Sequence, residues 1–110
     1  MVTKVEEELA KEKAETLGRA AKKVENVLEE MEKIFQEIEA LKISDSLLHG
    51  EKIIARINEK VEKYNALREE AKIYYFYLLV TREALGLYNH NWVEVIYSLP
   101  KRLNPFNYYG

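Results

Sequence analysis

Residues 73 to 80 read Ile73-Tyr74-Tyr75-Phe76-Tyr77-Leu78-Leu79-Val80, eight apolar or aromatic side chains in succession. On either side the chain follows a helical rhythm of apolar and charged positions. An amphipathic helix needs one apolar stripe about 100° wide, so a turn that is apolar all round requires cover on every side. Eight helical residues rise only about 12 Å, well short of the roughly 20 residues that cross a bilayer. The expected cover is protein: the chain's own C-terminal segment, a second copy, or another protein.

Working outward, Leu17, Val24, Met31 and Ile38 recur every seven residues, with Ala20, Ala21, Val27, Leu28, Ile34, Phe35 and Leu41 between them. This spacing predicts one helix over about residues 4–42. Its start is marked by Thr3-Lys4-Val5-Glu6, a capping box in which hydroxyl and carboxylate each take the other residue's amide. Ile43-Ser44-Asp45-Ser46 reads as the turn. A second stripe follows, with Leu47, Ile54 and Val61 in one column and Ile57, Tyr64, Ala71, Leu78 and Leu85 in another. It predicts helix two over about residues 46–87, with Gly50 either inside the helix or at its cap. A turn centred between Ser44 and Asp45 would set Ala10 and Ala14 against Tyr74 to Leu78, and Gly18, Ala20 and Ala21 against Leu67 to Ala71.

The fold class is therefore all-α: a long antiparallel, coiled-coil-like hairpin over residues 1–88, followed by a short helix and an extended tail over 89–110. Asn91-Trp92-Val93-Glu94 resembles a second capping box, so Trp92, Val93, Ile96, Tyr97 and Leu99 would form the apolar face of a short helix ending before Pro100. The β-branched run Val93 to Tyr97 leaves a strand as the competing reading. Trp92 is expected to be buried against Val80, Ala84 or Leu87, within the chain or across a dimer.

A chain of 110 residues suits one domain, and 47% hydrophobic with 33% charged residues excludes disorder. High charge, a single glutamine and no cysteine resemble a thermophile-like composition. A net charge of −2 gives no general attraction to nucleic acid or anionic membrane. The lack of cysteine removes disulfides and thiolate chemistry. The charged start, Met1 to Glu8, lacks the apolar core of a secretory signal, so a cytoplasmic location is expected.

Polar chemistry concentrates in Arg82, Glu83, Tyr88, Asn89, His90, Asn91 and Trp92. An Arg for an anion, a Glu for a proton and a His suit a ligand or hydrolytic site, with Arg82, Glu83, Tyr88, His90 and Trp92 as its binding candidates. The simpler reading is a helix C-terminus, with a cation in the last turn, Gly86 near the stop and Asn/His in the turn. Asp45 and His49 lie four apart but lack further ligands, so neither metal nor cofactor is expected. Lys101, Arg102, Phe106, Tyr108 and Tyr109 mix charge with stackable rings, yet two cations make too small a footprint for nucleic acid.

A hairpin of two helices leaves apolar surface uncovered at this size. Ile73, Tyr75, Phe76, Tyr77 and Val80 are the expected interface, and the expected state is a homodimer forming a four-helix bundle. The function this favours is a non-enzymatic oligomerisation or adaptor module acting through protein–protein contacts. A small helical enzyme or ligand-binding protein using the Arg82–Trp92 cluster, and a nucleic-acid-associated accessory protein, are the alternatives.

Overall fold

The computed structural model describes residues 3–43 and 50–107. Three helices follow in order: α1 (Lys4–Ile43), α2 (Gly50–Ala84) and α3 (Asn91–Ile96). No strand occurs among the described residues, so the helical reading of 93–97 prevails. The expected turn at 44–46, and Leu47 and His49, lie outside the described residues.

The N-terminal capping box forms as the sequence requires. The Glu6 amide donates to Thr3 Oγ1 at 3.1 Å and the Thr3 amide to Glu6 Oε2 at 3.4 Å. The heptad columns become the core. Val24, Val27, Met31, Ile34 and Ile38 of α1 are buried, as are Ile57, Val61, Tyr64, Ala71 and Leu78 of α2. The two helices pack against each other as an antiparallel hairpin in a rod 72 Å long and about 20 Å thick.

The register differs from the one a tight turn at Ser44–Asp45 would set. Lys60 pairs with Glu37 at 2.8 Å rather than lying opposite Glu29, the Phe35 and Tyr64 rings meet at 6.5 Å, and Lys23 sits over Tyr74. The crossing point thus falls later in the chain than expected. Tyr74 and Leu78 consequently pack with Ala20, Ala21 and Val24, and Ala14 is exposed instead of facing them. Small residues do meet the aromatic run, but they are the next pair along. The same shift leaves the first part of α1 beyond the end of α2. Residues 3–15 are all exposed, including Val5 and Leu9 on the continuing apolar stripe. Gly18 has open space around it, so its predicted contact with helix two is absent.

Helix α2 ends three residues before the sequence-based limit, in a Schellman motif. Gly86 takes a positive φ of 86°, the Leu87 amide donates to the Arg82 carbonyl at 2.9 Å, and the Gly86 amide to the Glu83 carbonyl at 3.0 Å. The Arg82 and Glu83 carbonyls are satisfied there, and the chain reverses into α3.

A second correction concerns α3. Its cap residue is His90, and no side chain caps the helix, so the Asn91–Glu94 box does not form. Asn89 acts instead, its Oδ1 accepting the Asn91 amide at 3.0 Å in an Asx turn. A helix of only six residues offers one inward position, and Val93 takes it, wholly buried against Val24 and Leu78. Tyr97 supports it by donating to Glu25 Oε1 at 2.6 Å. Trp92 and Ile96 are exposed.

Candidate functional site

The cluster at the end of α2 does assemble, in a form the sequence only half suggests. Arg82 is buried, with 4% of its surface exposed. Its Nε donates to His90 Nδ1 at 3.1 Å and its Nη2 to the Asn89 carbonyl at 2.8 Å. The guanidinium also lies over the Trp92 ring, 4.8 Å from the centroid. Guanidinium can only donate, so His90 Nδ1 must accept and the imidazole proton resides on Nε2. That proton points to Glu83 Oε1, 3.1 Å away.

Sequence position explains each member. Arg82 occupies the column of α2 that runs through Val61, Arg68 and Tyr75, one turn beyond Leu78 on the buried face, and its charge sits beside the partial negative charge of the helix end. Glu83 is one residue round the helix, on the exposed side. The Gly86 reversal returns Asn89, His90 and Trp92 to Arg82. Within the chain Trp92 is therefore not buried against Val80, Ala84 and Leu87; it is half exposed and spends one face covering a cation. Tyr88 stands apart, exposed.

Chemically, this arrangement is a closed set of bonds. Both His90 nitrogens are engaged within the cluster, Nδ1 by Arg82 and Nε2 by Glu83. Arg82 turns two donors inward and one face to an indole, which suits holding α3 on α2 better than gripping an anion. Among the described residues no group of three His, Asp or Glu is placed to hold a metal ion. Asp45 and His49 lie outside the described residues.

The expected interface divides. Ile73, Phe76, Tyr77 and Val80 are exposed, at spacings of three and four that put them on the face of α2 turned away from α1. Tyr75 departs from them: it is half-buried among Val24, Leu78 and Val93, and burial raises its pKa above the usual tyrosine value. It belongs to the fold. No described helix is long and apolar enough to cross a membrane.

The described tail is extended, as the sequence suggests; what the sequence does not announce is how it is held. Residues 100–106 lie along α2, held by three of its side chains. Arg68 Nε donates to the Pro100 carbonyl at 2.7 Å. Asn65 donates to the Leu103 carbonyl and accepts the Leu103 amide, both at 2.9 Å. Asn58 does the same for Phe106, at 3.1 and 2.7 Å. Leu99, Leu103 and Phe106 pack on the buried cluster beneath. The only signal available in the sequence was two asparagines one heptad apart beside the apolar stripe. Tyr108 and Tyr109 lie outside the described residues.

Compared with family models, curated proteins and solved structures, the chain matches none.

Proposed function

We propose that this chain is a non-catalytic helical association module, and that it pairs with a second copy through the outer face of α2 to form a four-helix bundle. The observation that carries this reading is the row Ile73, Phe76, Tyr77 and Val80, each about half exposed or more, on a helix whose opposite face already serves the hairpin. Large apolar side chains grouped on one exposed face mark association surfaces more often than plain solvent boundary. Val5 and Leu9 add a second uncovered surface, where α1 continues its stripe without α2 beside it. A two-fold pair covers every such surface twice with one kind of contact, which is why a second copy is the favoured occupant. The closed bonding of His90 and Arg82 supports a structural role for the cluster behind this face.

Sedimentation equilibrium at micromolar concentration tests the proposal. The expected mass is about twice the 13.0 kDa of one chain. Replacing Phe76→Glu and Tyr77→Glu together should return it to the single-chain value with the helical circular dichroism unchanged. A wild-type chain that sediments as a monodisperse monomer would overturn the reading.

A further inference from the structure

The exposed row on α2 is flanked by one cation and one acid that the single chain leaves underused. Lys72 lies 3.4 Å from Glu69, but Arg68 and Arg102 each approach the same carboxylate at 3.5 Å. With three cations on one acid, Lys72 can leave without stranding a charge. Glu83 gives Oε1 to His90, and its other oxygen has no partner among the described residues. Both side chains are about half exposed.

Their spacing relates them to the row. Eleven residues make almost three whole helical turns, so Lys72 and Glu83 stand within about 20° of each other and about 16.5 Å apart along the axis. They mark one edge of the row, the edge that Phe76 occupies, and Tyr77 stands on the opposite edge. The point midway between Lys72 and Glu83 falls between Tyr77 and Leu78. The middle of the apolar row Ile73 to Val80 falls between Phe76 and Tyr77, only about 1.5 Å away. Charged and apolar features share one centre.

A two-fold axis through that centre, perpendicular to two α2 helices lying side by side, keeps each edge on its own side and reverses the chain direction. Lys72 then meets Glu83 of the second copy, and Glu83 meets Lys72, while the Ile73 end of each row meets the Val80 end of the other. A parallel pair would set Lys72 on Lys72 and Glu83 on Glu83, like charges facing twice. We infer that the two copies lie antiparallel and that Lys72 of each holds the unpartnered oxygen of Glu83 in the other. The arrangement rests on pairing through the outer face of α2 and gives that pairing its direction. It also makes the candidate cluster a shared one: the bonded series Arg82–His90–Glu83 is closed at its exposed end by a cation from the second copy. Flanking charges of this kind fix the direction in which helices pair.

The test uses the full chain and reads direction separately from pairing. Lys72→Glu and Glu83→Lys should each weaken dimerisation about tenfold in sedimentation equilibrium, because each sets two like-charged pairs across the axis. An equimolar mixture of the two variants should regain wild-type affinity, since every Glu then meets a Lys. The chain has no cysteine, so introduced single cysteines report neighbours directly. In a mixture of Lys72→Cys and Glu83→Cys chains, a short bismaleimide should join one chain of each kind and should not join either variant to itself. Self-joined chains of each variant would mean a parallel pair and overturn the arrangement, as would a mixture of charge variants no tighter than either alone. A wild-type dimer indifferent to both charge changes would overturn the contact between Lys72 and Glu83 while leaving the outer-face pairing intact. A wild-type chain that stays monomeric would remove the pairing itself, and this arrangement with it. Should either charge variant lose its helical circular dichroism, the cysteine pair decides alone.

Discussion

The two halves of this hairpin are built from one heptad pattern but are finished differently. Around Met31, Ile38, Ile57 and Val61, the tail lies along the helix pair as a third layer, bringing Leu99, Leu103 and Phe106 onto the core. Around Val24 and Leu78, the third layer is the short α3, which contributes Val93 and the ring of Tyr97. On the outer face of that same stretch α2 shows Ile73, Phe76, Tyr77 and Val80 to solvent, and past the end of α2 the first turns of α1 run on alone. The difference teaches that a helix pair cannot close a core by itself. Where the chain supplies a third element the apolar surface is covered, and where it does not the surface stays available to another molecule.

The strongest way to break this contrast is through the cores. Ile57→Ala in the wrapped half should cost about 2–5 kcal/mol in urea denaturation, because the residue is wholly buried and its neighbours are fixed from both sides. A loss below about 1 kcal/mol would mean the wrapped half relaxes as freely as a surface. Next comes the clamp. Asn65→Ala leaves the Leu103 amide and carbonyl without their partner, and should cost about 1–3 kcal/mol while speeding hydrogen exchange at Leu103. Unchanged exchange there would show that the tail is held by its side chains alone.

In the open half the sign reverses. Gly18 is an exposed helical residue with nothing near a built Cβ, so Gly18→Ala should stabilise by about 0.5–1 kcal/mol, read as a raised urea midpoint. Destabilisation would reveal a neighbour packed against that turn.

The smallest effect is with pH and spans both halves. Burial holds the Tyr64 and Tyr75 hydroxyls above the usual tyrosine pKa, and hydrogen bonds to Glu70 and Glu25 do the same for Tyr74 and Tyr97. The folded chain therefore keeps protons that the unfolded chain releases near pH 10, about the unperturbed tyrosine value. Their contribution is complete below that pH and is lost as pH rises through the folded-state values. Urea midpoints should fall above about pH 10, and Tyr97→Phe should flatten the fall. A midpoint that is level through this range would contradict it.

Much of the wrapped core was legible in the sequence because it depends on local periodicity. The columns through Met31, Ile38, Ile57 and Val61 state their own buried face, and Thr3 with Glu6 state where α1 starts. The register was not legible, since it is a relation between distant residues fixed by how the chain crosses over. Asn58 and Asn65 were missed for a related reason: their partners lie 48 and 38 residues away and are main-chain atoms, which leave no letter to read. At the candidate cluster the sequence named Arg82, Glu83, His90 and Trp92 correctly as neighbours. It mistook the partition of burial among them, because a six-residue helix has room for one buried side chain, and Val93 fills that place.

The free start of α1 and the clamped tail together give the rod a polarity. Thr3 caps the overhanging pole of α1, while Phe106 is fixed beside Asn58, towards the opposite pole. The molecule is thus a strut rather than a loop closed on itself. Anything coupled near Thr3 and anything coupled near Asn107 would be held apart across most of a 72 Å span, with a continuous helix to carry force between them.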